Sequence, residues 1–496
     1  MSEYKFSCPG CGKHLTAGAD DAGRQIMCPE CQSAVVIPSN PPPPSLGRRI
    51  GRVFGFLILL ALGCFAAWRV VLNNEVNSQF ARIRAAGYPA SGAEWNAWRA
   101  PVPDAENGAL VIAQAFAMVQ TFPDSRSNEV AQFSDFNRTN KWSAATRELV
   151  AAYLQTNAPA LAKVREALLL SRFRYPVDAT FALNILLPHL SKLKKMAILA
   201  EMETALDAEE GRAEQWLEPV ELQLKLAGTL DDEPILLSHL VRNSIVRIAA
   251  KSAERSLNRI SPGDEACRRL QAAFTRAGGT NLLPLALAGE RAMAIPYFRM
   301  SWKEMRSASQ SDGTSSQPQE PQRYSGKPCF PLWLTGFLER DLSFYLQSME
   351  KGISLAALAP PESLAMSNYM NSVGAVAEKR FYFDSGMLVM GLSKVTVQEA
   401  TLQANTRLAA TAFAVERFRL AKGRLPNSLA ELAPQFLDAI PTDPFDGQSL
   451  RYRLLARGYI IYSVGADGQD DGGREPPENK KSTDTTTYDI TFIVER

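Results

Sequence analysis

Residues 53–72 read VFGFLILLALGCFAAWRVVL, an apolar run that only Arg69 interrupts. At about 1.5 Å of rise per residue, a helix of this length spans roughly 30 Å, the thickness of a hydrocarbon core. Arg69 lies near the far end, where its aliphatic stem lets the charge reach the headgroups, and Trp68 beside it suits the interface. A buried helix of a soluble core rarely runs so far without a polar face. A cleaved leader starts at the N-terminus and does not follow a stretch that reads as folded. The run therefore divides the chain into a short head and a long body.

Arg48, Arg49 and Arg52 stand immediately before the run. Basic residues accumulate on the cytoplasmic side of a membrane helix, so they predict a cytoplasmic head. The contrast is partial, because Arg69, Arg82 and Arg84 follow the run. Residues 38–45, PSNPPPPS, read as a stiff polyproline spacer.

The head contains CPGCGKHLTAGADDAGRQIMCPEC over residues 8–31. Cys8 and Cys11 form one C-x2-C pair, and Cys28 and Cys31 form another after a sixteen-residue spacer. Four thiolates at this spacing can close a tetrahedron around Zn²⁺ at about 2.3 Å. A redox CxxC needs a single reactive pair beside a βαβ unit, and this segment offers two pairs. Gly12 follows the first pair, where a backbone free of Cβ is useful. His14 is expected at the surface, since four sulfurs complete the shell. Free thiolates survive best in a reducing compartment, which again favours a cytoplasmic head.

With its two CPxC turns, the head resembles the short zinc ribbons at the N-termini of many bacterial membrane proteins. The resemblance implies a first knuckle, a β-hairpin, a second knuckle and an apolar strand supplied by Val35, Val36 and Ile37. Such ribbons bind nucleic acid, dock proteins or act as structural caps. Lys5, Lys13 and Arg24 are matched by Glu3, Asp20, Asp21 and Glu30, so protein docking ranks above nucleic acid. The net charge of the 496-residue chain, +2, likewise supplies no basic field for nucleic acid.

Beyond the run, residues 73–400 read as mainly helical. Leu237, Val241, Ile245, Ile248 and Ser252 make one apolar stripe, and Ala213, Leu217, Val220 and Leu224 another. Turns are expected at Glu210-Gly211, before Pro234 and at Ser261-Pro262-Gly263, and Pro219 is expected to kink its helix. Residues 193–257 loosely resemble helical hairpins of tetratricopeptide type, with Ala205, Gly211 and Ala213 at small-residue positions. No strict repeat period appears, and an irregular bundle is the alternative. Residues 306–323 lack apolar content and read as a disordered loop. Asn137-Arg138-Thr139 fits a glycosylation acceptor. Cys64, Cys267 and Cys329 do not make a disulfide framework, and pairing of the last two is left open.

Residues 401–496 form the second informative stretch. A helix carries Leu408, Ala412, Val415 and Phe418 on its buried face and ends at Lys422-Gly423. Ser428 to Glu431 reads as a capping box. A turn at Asp443-Pro444-Phe445-Asp446-Gly447 follows, then strands over 450–455 and 459–464, an acidic glycine loop over 465–473, and a strand over 487–494. The order of a long helix, GRLPNSLAEL, DPFDG and YSVGADGQDDGG resembles the globular part of the major pseudopilins of type II secretion. It covers under a fifth of the chain. The resemblance implies a calcium-holding loop, with a carbonyl from Val464, a carboxylate from Asp467 and further carboxylates from Asp470, Asp471 or Asp484. Ca²⁺ takes six to eight oxygens, and glycine lets a loop wrap it. The family's leader and processing site have no counterpart here.

There is no GxSxG, phosphate-binding glycine loop or HExxH, and no catalytic role is expected. His189 and His239 are expected as packed core residues. The expected fold is multidomain. It comprises a zinc ribbon (1–38), a Pro-rich and basic linker (39–52), a transmembrane helix (53–72), a mainly helical region (73–400) and a pseudopilin-like α+β cap (401–496) with a three-stranded antiparallel sheet. The expected role is a single-pass scaffold of the bacterial inner membrane. Its head would be cytoplasmic and its body extracytoplasmic, with unknown protein partners, structural zinc and optional calcium. The alternative is a membrane-tethered regulator whose head binds nucleic acid or a transcription partner.

Overall fold

The computed structural model describes residues 3–39, 46–120, 138, 141–301, 303–304, 326, 328–475 and 488–496. The loop expected at 306–323, most of the proline spacer, Asn137 and Asp484 lie outside these residues. The chain divides into two compact units, Met1–Asn73 and Asn74–Arg496.

In the first unit, β1 (Glu3–Ser7) pairs antiparallel with β2 (His14–Gly18), and β3 (Gln25–Met27) with β4 (Ala34–Val36). The sequence led us to expect one hairpin between two knuckles. Instead each CPxC knuckle is the turn of its own hairpin. The reason is local: the Cys8 amide donates to the Lys13 carbonyl at 2.8 Å, and the Cys28 amide to the Ser33 carbonyl at 2.9 Å. These bonds draw the flanking residues into paired strands. Phe6, Ala17, Val35 and Ile37 form a small core with Cys8 and Cys28.

The apolar run folds into α1 (Leu46–Ala85), a helix of 40 residues that extends past the run at both ends. Its portion from Ile50 to Ala85 is long and apolar enough to cross a membrane. The most apolar 18-residue window has a mean hydropathy of 2.2, and none of it is buried by protein.

The second unit begins inside this helix, at Asn74, and is mostly helical. Its helices are α2 (Gly92–Trp98), α3 (Gly108–Met118), α4 (Ala144–Ala167), α5 (Pro188–Glu209), α6 (Leu217–Gly228) and α7 (Leu236–Leu257). They continue with α8 (Asp264–Gly279), α9 (Leu283–Ala294), α10 (Phe330–Leu334), α11 (Phe337–Ala356) and α12 (Ala365–Arg380). The series ends with α13 (Phe383–Val389) and α14 (Val395–Lys422). A three-stranded antiparallel sheet follows in the order β5 (Arg451–Leu454), β6 (Tyr459–Ser463), β7 (Ile490–Val494).

Helix α14 organises this unit. It packs along α8, where Gly278 comes so close to Thr406 that an added Cβ would lie 2.2 Å from the hydroxyl. Phe413 sits between Trp216 and Phe274, with ring centroids at 6.3 and 6.1 Å. All five residues of β6 are buried, and the Tyr459 hydroxyl reaches back to Glu416 on α14 at 3.1 Å. One continuous core runs from Ala109 on α3 to Val494 on β7. The boundary expected at 400/401 therefore falls within α14, inside a single compact unit. Burial of α14 on several sides, not on one stripe, is what fuses the helical and sheet-bearing parts.

Three local expectations differ from the structure. Pro219 is the third residue of α6, where its missing N–H costs no helical bond, so it starts the helix and does not kink it. On α7 the buried residues include Ile245, Val246, Ala249, Ala250, Ala253 and Leu257, whereas Leu237 is exposed. Of the anticipated stripe, Ile245 and Ser252 are buried and Val241 packs against the core, so only its first member, Leu237, lies off the buried face. Ser428 does not cap with its side chain, although Glu431 reaches back to the Asn427 amide at 2.7 Å and the segment closes as a 3₁₀ turn.

Candidate metal centre

The two hairpin turns bring all four N-terminal cysteines together. Gly12 and Gln32 occupy equivalent positions, one residue past each second cysteine, and both adopt left-handed backbone with φ of 71° and 56°. That conformation lets the Gly12 amide donate to the Cys8 carbonyl at 2.8 Å and the Gln32 amide to the Cys28 carbonyl at 3.0 Å. The sequence reading found the glycine and missed its non-glycine counterpart. The shared CPxC spacing was the signal that could have identified both.

The sulfur atoms of the four cysteines lie within 4.8 Å of one another. Cys8 stands 3.7 Å from Cys31 and Cys11 stands 3.7 Å from Cys28, so each close contact joins one knuckle to the other. Two sulfurs about 2.3 Å from a common ion, at a tetrahedral angle, stand about 3.8 Å apart. The four cysteines can therefore hold a metal ion. Cys8 and Cys28 face the small core, while Cys11 and Cys31 face outward. Lys13 forms an ion pair with Glu30, which adds a second link between the knuckles.

Hydrogen bonds already bias these thiols. Burial pushes the Cys8 thiol up, but the Gly10 and Cys11 amides and the Ser33 hydroxyl bring it down to about 6. The Ser33 hydroxyl, 3.0 Å away, also lowers Cys31. The Lys13 amide pulls Cys11 down, but the sulfurs of Cys31 and Cys28 leave it raised to about 12. Packed together, the sulfurs resist sharing several negative charges, and a divalent cation would remove that resistance.

Of the residues expected around calcium, Asp484 lies outside the described residues, and the others make the following contacts. Val464 is buried, and its amide donates to Asp443 Oδ2 at 2.9 Å. Asp467 accepts from the Gln469 amide at 3.1 Å, and Asp470 from the Gly472 amide at 3.0 Å. Asp471 is exposed. Among the described residues, the four cysteines are the group in which three or more ligating side chains converge.

Sequence reading noted Asp443 only as a turn residue. It is fully buried and accepts hydrogen bonds from the Ser463 hydroxyl (2.8 Å), the Val464 amide (2.9 Å) and the Phe445 amide (3.0 Å), with Arg451 beside it. It ties the DPFDG turn to the end of β6. His189 and His239 are buried as expected, but each holds a buried glutamate, Glu233 and Glu399, at 2.9 Å. A histidine on an apolar helix face needs a polar partner, yet nothing in the spacing says which. All seven cysteines are free thiols.

The fold and the site define a mostly helical, multidomain chain with one candidate membrane helix and a tetracysteine site on small N-terminal strands. No protein-family model, curated protein or solved structure matches it.

Proposed function

We propose that the protein is a single-pass interaction scaffold of the bacterial envelope, anchored in the inner membrane by α1. The observation that carries this reading is an uncovered apolar helix placed directly after a tetracysteine module. In this reading the four thiolates hold structural zinc in the cytoplasm, where thiols stay reduced. The second unit lies outside. Its helical part serves as a binding scaffold of hairpin type, and its terminal helix and sheet form a pseudopilin-like cap. The protein has no catalytic role. Interaction or assembly at the envelope, of the kind secretion systems require, is its work.

Two measurements test the proposal. Protease added to intact spheroplasts should digest the second unit and spare the head. A protected second unit in a carbonate-resistant protein would invert the topology and end this reading. Residues 76–496 used as bait on envelope extracts, with and without calcium, should retain a defined partner. Retention of nothing in either condition would count against a scaffold.

A further inference from the structure

Neither the metal centre nor the membrane helix uses a groove of about 970 Å³ on the second unit, between the C-terminal half of α8, the middle of α14 and residues 434–441. Its walls carry four guanidinium groups, Arg268, Arg276, Arg407 and Arg417, and one carboxylate, Asp438. Two of the four are already compensated. Arg268 pairs with Glu265, and Arg417 donates to Asp264 at 2.9 Å.

Arg276 and Arg407 have no carboxylate in ion-pair contact among the described residues. Arg407 is held in place by neutral acceptors only. It donates to the Thr442 carbonyl at 2.6 Å and to Gln403 Oε1 at 3.0 Å. It is therefore positioned and half-buried with the Asp443 carboxylate near it but not in contact, so an incoming anion gains by pairing with it directly. Arg276 lies in the last turn of α8, where the carbonyl end of the helix offsets part of its charge. Arg407 is accordingly the stronger anchor. Leu358, Pro360 and Pro434 line the same groove and offer apolar contact beside the cations.

We propose that this groove binds an acidic segment of a partner protein. Carboxylates of the segment bridge Arg407 and Arg276, and its apolar side chains rest on Leu358, Pro360 and Pro434. This inference deepens the interaction reading and rests on it. A phosphate-sized ligand would leave most of the groove's volume unfilled, whereas a peptide segment can use both the cationic and the apolar lining.

The test uses the full chain in detergent micelles and a fluorescein-labelled decapeptide of alternating glutamate and leucine, followed by anisotropy. Saturable binding is expected, weakening as salt rises, with little binding of the same peptide carrying lysine for glutamate. Arg407→Gln and Arg276→Gln should each weaken binding about tenfold or more. Arg276→Gln removes no hydrogen bond seen in the structure, so it stays informative if Arg407→Gln unfolds. Absence of saturable binding, or equal affinity in both variants, would overturn the proposal. So would complete displacement by millimolar inorganic phosphate, which would mark a small-oxyanion site. If residues 76–496 capture an envelope partner and Arg276→Gln captures it equally, the groove is wrong and the interaction reading survives. If the decapeptide binds as described and no envelope partner is captured, the reverse holds.

Discussion

Removing the metal should unfold residues 3–37 outright while leaving the second unit intact. Phe6, Val35 and Ile37 are the large apolar side chains of its small buried core. At about 1.5–3 kcal/mol each, they supply roughly 5–9 kcal/mol. A structural zinc ion in a comparable module supplies about 10–16 kcal/mol. The ion therefore outweighs the core, and the paired strands, five residues or fewer each, are too short to stand alone. Cys28→Ser, or a strong chelator, should abolish amide protection across residues 3–37. Hydrogen exchange on the full chain reads this directly, with metal content measured in parallel. The melting transition of the second unit should not move. If residues 3–37 kept their protection with less than about a tenth of an ion per chain, the argument that the metal holds this fold would be refuted.

Other outcomes follow from single residues. Gln32→Gly should tighten the metal-bound head by up to about 1 kcal/mol, because a left-handed residue with a side chain is strained; chelator competition measures it. Asp443→Ala should cost about 3 kcal/mol or more in chemical denaturation, since it strands two buried donors and a half-buried third. Gly289→Ala should be similarly severe, because its Cβ would lie 1.8 Å from the Pro234 carbonyl. Burial pushes the carboxyls of Glu254, Glu290 and Asp384 up to about 7. The folded state then holds more protons than the unfolded state between about pH 4 and 7, so stability falls as pH rises through that window. Calorimetry should give the second unit a higher Tm at pH 5 than at pH 8, and the opposite order would contradict these assignments.

What the sequence disclosed depended on how local the determining physics is. The four cysteines were legible because a CPxC turn is specified by four consecutive residues, and the apolar run because it needs no partner. The sheet strands were legible within one to three residues, since Tyr459 to Ser463 and Ile490 to Val494 are rich in β-branched and aromatic residues. The calcium reading is of another kind, because it depends on where carboxylates converge, and that is a tertiary property. Asp443 shows the point. Its sequence context says turn, yet three of its donors come from residues 445, 463 and 464, and the last two are contributed by a strand that the turn only later meets.

The same reasoning applies to position 400/401, which lies inside α14. Helix α14 buries Glu399, Gln403, Thr406, Thr411 and Glu416 along with its apolar residues. A periodicity scan counts such polar positions towards a solvated face. Each has instead been given a partner by another element or by its own backbone: Glu399 by His239 on α7, Glu416 by Tyr459 on β6 and by Arg496, and Thr411 by the carbonyl of Arg407. A polar residue can face inward once it is satisfied. The sheet and the helical region are thus joined through bonds that a one-dimensional hydrophobic pattern counts as evidence of exposure. Cutting the chain before α14 would expose the matching faces of α7 and α8, because that helix contributes to the core they share.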